Sequence, residues 1–469
     1  MVEWKRFCAS TLVWSSVFLS GCVAGPDFSP PPSPDISAYG YDALPGMAAR
    51  GSTSLAAGED IPAQWWTLFH SKTLNALIDR AVRENPDLAS AEVALRRART
   101  NVSLGEAAFI PTLSGSVSSS SSPSVPLYTL RDASVAVSYS LDTWGGVHRS
   151  VESLKKKVKD AHFLRDAACL MLTGNVVTQT ATEASLQAQI AAAREIVAAR
   201  EKLLGLALLR LKTGAFPQSA VTDSRASLEK ARAALTGLQH RLVVTRHALS
   251  ALTGRSLEKT IGPTFWLKDE ASPKSIPSSL PSELVAQRPD VRAARAAVEE
   301  TGAILGAADV ATLPSFVLTA ETGSVESLLK KADEPESGIW NQKGSLAKTL
   351  LGPGHTTGRN LAAWDAFDRA ARRYRKTVLS ALQEVADTLH ALKVDDQTLE
   401  TRQTARRAAE EALREAQTRF DTSAVGWETL LAAKQTMQKA RADESSALAQ
   451  RYADTAALFV ALGGGWWSR

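Results

Sequence analysis

The sequence predicts an α+β membrane protein made of a duplicated unit, in which long α-helical hairpins join a few short β-strands. Three observations carry this reading. Proline is missing from very long stretches, matched landmarks recur in order, and brief period-two alternation interrupts a helical pattern. Composition agrees. Only 6% of the 469 residues are aromatic, while 44% are apolar with a surplus of Ala, Leu and Val, which favours helices over an all-β fold. The 54 Lys+Arg against 49 Asp+Glu leave a net charge of +5, too small and scattered for a nucleic-acid partner. Three cysteines cannot build a disulfide framework.

The helices come first. Only Pro217 lies between Pro126 and Pro263, and no proline follows Pro353. The runs from Val147 to Gly214 and from Arg359 to Thr422 can therefore be uninterrupted helix, each roughly 90–100 Å long at ~1.5 Å per residue. Both are expected to fold back, at Gly214-Ala215-Phe216-Pro217 and at Ser423-Ala424-Val425-Gly426. An a/d seam supports the frame: Ile190, Val197, Leu204 and Leu211, then Val221, Leu228, Leu235, Leu242 and Leu249, all seven apart. The second copy keeps the frame with Leu399, Leu413, Phe420, Leu430, Met437 and Leu458. It is punctured at Arg406, Glu444 and Arg451, as a helical wall facing water would be.

The duplication is read from landmarks. Asn85-Pro86-Asp87 and Arg288-Pro289-Asp290 each open an Ala/Arg-rich helix, 203 residues apart. Arg210-Leu211-Lys212-Thr213 matches Arg419-Phe420-Asp421-Thr422, and Lys230-Ala231-Arg232-Ala233 matches Lys439-Ala440-Arg441-Ala442, both 209 apart. The expected organisation is a signal at 1–21, a linker at 22–64, and repeats at 65–262 and 263–467.

Strands fall between the short and long helices. Val135, Val137, Tyr139 and Leu141 alternate with small polar residues, as do Leu113, Gly115 and Val117. The Ser/Pro stretch 118–126 is the expected hairpin loop. In the second copy Phe316, Leu318 and Ala320 alternate, and so do Leu346, Lys348 and Leu350. A small soluble sheet and a membrane sheet both fit this alternation. Four strands cannot close a barrel, since about eight is the minimum; a membrane sheet would need several chains.

The N-terminus addresses the protein. Lys5 and Arg6 precede an apolar run from Phe7 to Leu19, which is too short for a spanning helix. Leu19-Ser20-Gly21-Cys22 resembles a bacterial lipoprotein box, with cleavage between Gly21 and Cys22 and a diacylglycerol on the Cys22 sulfur, joined by an N-acyl chain. The Pro-rich residues 23–62 read as an extended leash.

Together these features resemble the outer-membrane factors of bacterial tripartite efflux pumps, in the NodT-type lipoprotein branch. The residues that carry the resemblance are Leu19-Ser20-Gly21-Cys22, Gly25-Pro26-Asp27-Phe28, Trp65-Trp66, Asn85-Pro86-Asp87, Arg288-Pro289-Asp290 and Leu141-Asp142-Thr143-Trp144-Gly145, with the two hairpin turns. The resemblance implies a homotrimer whose protomers each give four strands to a shared twelve-stranded β-barrel, with the helices forming a periplasmic tunnel. It implies a lipid-anchored place in the cell outer membrane. The implied partners are a periplasmic adaptor (membrane fusion protein) and an inner-membrane pump of the resistance-nodulation-division type, with passive conduction and no enzymatic step.

The same resemblance puts adaptor docking and a gate at the hairpin tips. The candidate residues are Arg210, Gly214, Phe216, Pro217 and Asp223 on the first tip, and Arg419, Phe420, Ser423, Val425, Glu428 and Thr429 on the second. Family members often carry aspartates where Thr429 and Ala432 stand, and a glycine where Ser423 stands. Glu428 also reads as a solvated helix-start acid. No phosphate loop, dinucleotide fingerprint, zinc-protease motif or nucleophile elbow occurs, so no catalytic residue, metal or cofactor beyond the Cys22 lipid is expected. Lys155-Lys156-Lys157 reads as a solvated face, Cys169 as a small buried apolar residue, and Trp466-Trp467 as an interface or packing anchor.

Overall fold

The computed structural model describes residues 61–121, 129–255, 287–327, 337–347 and 355–465, together with the backbone of two short strands at 54–57 and 275–278. The signal, Gly21, Cys22 and Trp466-Trp467 lie outside the described residues. In chain order the elements are β1 (Ser54–Ala57), α1 (Lys72–Glu84), α2 (Pro86–Glu106), β2 (Thr112–Ser121), β3 (Thr129–Leu141), α3 (Gly146–Lys212) and α4 (Gln218–Leu252). There follow β4 (Ser275–Ser278), α5 (Pro289–Val310), β5 (Ser315–Ser327), β6 (Ser337–Ala347), α6 (His355–Asp421) and α7 (Trp427–Ala461). The series helix, strand, strand, long helix, shorter helix occurs twice. The long helices have 67 residues each, and their return helices 35 each.

The two compact units are not the two sequence repeats, because each takes segments from both. One holds 93–162 and 293–376, with all four long strands. They form an antiparallel sheet in the order β2-β3-β5-β6, so the repeats meet at β3–β5 and, among the described residues, the outer edges of β2 and β6 have no partner strand. Register aligns Leu113 with Val137 and Ala320, and Leu141 with Phe316. Apolar side chains thus share one face and stay bare: Leu113 is 72% and Val117 87% exposed. The opposite face is polar, with Ser116 and Ser134 hydroxyls 2.9 Å apart.

β3 feeds its long helix through a built corner. Asp142 accepts from the amides of Val147 (2.9 Å) and His148 (3.0 Å) and lies 2.8 Å from the His148 ring, capping α3. Burial pushes the Asp142 carboxyl up, but these hydrogen bonds outweigh it and hold it below the ordinary value. The Trp144 indole donates to the Pro314 carbonyl at 2.7 Å, joining this corner to its counterpart before β5.

The other unit holds 34–92, 163–292 and 377–469, and contains the main core. Trp65, Trp66 and Phe69 sit in a 3-10 turn (Trp65–Phe69) and pack with Leu74 and Ile78 of α1 against α3, α6 and α7. Trp65 stacks on Phe459 (5.2 Å between centroids) and Phe69 on Tyr452 (5.4 Å). Burying such side chains is worth about 1.5–3 kcal/mol each, which anchors the start of the chain to the last helix.

Several expectations are corrected here. Ser118–Ser121 are strand, paired with Thr129–Asp132, because serine tolerates an extended backbone; the rest of the expected 118–126 loop lies outside the described residues. β6 lies at Ser337–Ala347, upstream of the expected alternation, and Lys348 and Leu350 fall outside the described residues. The described end of the leash is tied down: β1 is extended but pairs in parallel with β4, and Ile61 is 1% exposed in the core. The lysine run is not a bare solvated face. Lys155 pairs with Glu106 (3.0 Å), Lys156 with Glu299 (2.8 Å) and Lys157 with Asp160 (2.9 Å). Cys169 is half-buried at the edge of the core, not fully inside it.

Candidate gate and docking tips

Both long helices end in the same cap. Arg210 accepts from the amide of Ala215 at 2.8 Å and Leu211 from Gly214 at 3.0 Å; Arg419 accepts from Ala424 at 2.7 Å and Phe420 from Ser423 at 2.9 Å. This double bond pattern satisfies the last carbonyls and needs a left-handed residue at its turn. Gly214 supplies φ 72° at no steric penalty; Ser423 supplies φ 60° against one. The chain then re-enters helix at Pro217 and Gly426, which are both extended N-caps. Pro217 suits this place because its missing N–H would have had no helical partner.

The caps aim side chains into one cluster. The Arg210 guanidinium lies 4.9 Å above the Phe216 ring and forms an ion pair with Glu428, one Nη2–Oε2 contact being 3.4 Å. Glu428 does stand in the first turn of α7, as its helix-start position predicts, but it is not merely solvated: it ties the second tip to the first. Phe420 packs on Trp427, 4.5 Å between centroids. Farther along, Lys434 reaches Glu195 at 2.8 Å; this hydrogen bond and the lysine's charge hold Glu195 below its ordinary pKa.

Of the sequence candidates, the structure brings together Arg210, Phe216 and Glu428 across the tips, and places Gly214, Pro217, Ser423 and half-buried Val425 in the turns. Arg419 is exposed and sits 3.6 Å from Glu415 on its own helix. Thr429 is exposed on the first turn of its return helix, and Asp223 and Ala432 are exposed on the second turns of theirs. Sequence reasoning missed Trp427 and Lys434. The first was visible as an exposed tryptophan beside a tip glycine; the second pairs across helices and left no local signal.

The charges that punctured the second seam are also resolved. Arg406 and Glu444 meet at 2.6 Å across α6 and α7, and Arg451 meets Asp396 at 2.6 Å. They fill the seam as ion pairs, with Arg406 and Glu444 still part-exposed to water. The first hairpin keeps its apolar seam, with Val221, Leu228 and Leu249 buried.

Comparison with known proteins converges on one family. The family model described as outer membrane efflux protein matches residues 77–255 and 280–464. Nodulation protein T of Rhizobium leguminosarum bv. viciae is 25% identical over 457 residues, covering 96% of this chain and 92% of that protein. The cation efflux system protein CusC of Escherichia coli is 26% identical, covering 96% of each. Among solved structures, the Campylobacter jejuni CmeC outer membrane channel superposes with a TM-score of 0.82 at 21% identity over 95% of each chain. The outer-membrane channel OprN superposes with a TM-score of 0.79 at 23% identity, covering 95% of this chain and all of that one. With two repeats of strand pair and helical hairpin in the channel fold, and a family match over most of its length, this chain belongs to the outer membrane efflux protein family.

Proposed function

We propose that three copies of this chain assemble into a passive export duct in the outer membrane. The observation that carries this reading is the four-stranded sheet: strands of 10 to 13 residues, one bare apolar face, one polar face and two open edges. In lipid an open edge leaves backbone groups without partners, at several kcal/mol each. Edge-to-edge closure by identical copies removes every edge, and three copies make a twelve-stranded barrel with a polar lumen. Among the described residues no helix is long and apolar enough to cross a membrane.

In this reading Cys22 carries the lipid that anchors the chain to the outer membrane. The helical hairpins reach into the periplasm, where the tips meet a periplasmic adaptor joined to an inner-membrane pump of the resistance-nodulation-division type. The Arg210–Glu428 pair and its aromatic neighbours act as the gate, in place of a carboxylate ring. The pump supplies energy and selects cargo, and no catalytic step is assigned to the duct.

The test is the purified full-length protein in detergent and in planar bilayers. A trimer mass with discrete single-channel conductance is expected. A monodisperse monomer without conductance overturns the proposal and favours a scaffold lipoprotein.

A further inference from the structure

One buried carboxylate lies outside everything described so far. Asp395 of α6 is 9% exposed, and its Oδ2 is buried without a hydrogen-bond donor. Across the hairpin, Asp454 of α7 faces it, accepting from its own helix through Gln450 Nε2 at 3.0 Å. Arg451 of α7 is 2.6 Å from Asp396, the neighbour of Asp395 on α6. The charged groups acting on Asp395 are therefore Asp454 and Arg451 from α7 and Asp396 from its own helix.

The duplication supplies an internal comparison. The residues 209 earlier are Leu186 for Asp395, Gln187 for Asp396, Leu242 for Arg451 and Thr245 for Asp454. Leu186 is 4% exposed and packs as hydrocarbon, and the Thr245 hydroxyl is satisfied by the Arg241 carbonyl at 2.9 Å. At the same level of the two hairpins, the first thus closes on apolar contacts, a bonded hydroxyl and a compensated ion pair, Arg246 with Glu183 at 2.9 Å. The second closes on two carboxylates that repel unless a proton lies between them.

We propose that Asp395 and Asp454 share one proton, and that losing it loosens the α6–α7 hairpin while leaving the α3–α4 hairpin untouched. Protonated, the pair forms an O–H···O bond across the two helices. When the proton passes to solvent, two like charges remain in a buried contact.

Electrostatics agree with the geometry. Burial, then the hydrogen bond and charge of Asp454 and the charge of Asp396, push the Asp395 carboxyl up to about 7, against the opposing pull of Arg451. The sign follows. An acid whose folded pKa is raised binds more protons folded than unfolded, so its stabilisation is complete below its ordinary value of 3.8 and is lost as pH climbs to about 7.

The experiment is amide hydrogen exchange on the full-length protein in detergent at about pH 5 and about pH 8, corrected for intrinsic exchange. Expected is a loss of protection of about tenfold or more at the higher pH in 388–400 and 448–458, a tenfold loss corresponding to one pK unit. The matched segments 179–191 and 239–249 stay constant. Asp395→Leu abolishes the pH response and removes a protonated-carboxyl infrared band seen in the parent at low pH, whereas Asp454→Asn, which leaves the burial of Asp395 in place, shrinks the response. Asp454→Asn keeps its hydrogen-bonding shape, so it reports even if Asp395→Leu fails to fold. Equal pH responses in both hairpins, or a response undiminished in Asp454→Asn, overturns the proposal.

Discussion

Asn85 and Arg288 stand 203 residues apart in sequence and do the same thing by different chemistry. The Asn85 amide donates to the carbonyl of Leu252 at 3.0 Å, and Arg288 Nη1 donates to that of Ala461 at 2.8 Å. Each acceptor is the last helical residue of a return helix. Each repeat thus closes its hairpin onto its own short helix with one long-range hydrogen bond. Asn85 also caps α2 through the amides of Asp87 and Leu88, whereas Asp290 caps α5 and takes the Arg288 guanidinium.

The two closures are expected to differ in strength. Asn85→Ala removes a cap and one bond, worth about 1–2 kcal/mol. Arg288→Ala strips a buried cation from Asp290 and Glu384 as well and is expected to cost about 3 kcal/mol or more. Apparent melting temperatures in one detergent rank them: Arg288→Ala must fall further, and equal losses would refute the asymmetry.

The tip caps make a matched backbone experiment. Ser423→Gly relieves a left-handed serine and is expected to stabilise by about 1 kcal/mol. Gly214→Ala imposes the same strain and should destabilise by about 1 kcal/mol or somewhat more, with no clash to confuse the result, since nothing lies within 4 Å of the new Cβ. Chemical denaturation reads both, and a stabilising Gly214→Ala would contradict the cap geometry.

The seam charges should behave as a unit. Arg406→Leu or Glu444→Leu alone leaves a half-buried charge and is expected to destabilise by about 1–3 kcal/mol. The double leucine restores the apolar pattern of the first hairpin and should recover most of the loss or exceed the parent. A double-mutant cycle without coupling would show that the two side chains do not depend on each other.

The Arg210–Glu428 pair is expected to act on permeability more than on stability. Both side chains are 40% exposed, and such pairs contribute about 1 kcal/mol or less. Arg210→Glu should raise resting conductance with little change in melting, and adding Glu428→Arg should restore it. Likewise, cysteines at Phe216 and Val425 should crosslink in the resting state and lower permeability. Unchanged leak and export in all these variants would move the gate elsewhere.

Cys22→Ser is expected to abolish palmitate incorporation and to leave the signal uncleaved by the lipoprotein route. Labelling cells with radioactive palmitate checks it directly, and undiminished label on the variant rejects the anchor.

The sequence by itself determined the elements, because they are local. Absent prolines fixed where 67-residue helices run, Gly214 and Pro217 marked a turn that geometry required, and period-two alternation set which residues of β3 and β5 share a face. Landmark spacing exposed the repeat for the same reason. Pairing between distant segments was decided by the tertiary structure. The pairing of Lys155 with Glu106 and of Lys156 with Glu299, the answering of Arg406 by Glu444 and the reach of Arg210 to Glu428 all join residues far apart in the chain. Propensity and periodicity describe a segment's own backbone and faces. A charge, by contrast, takes its meaning from what the fold places within a few ångströms of it.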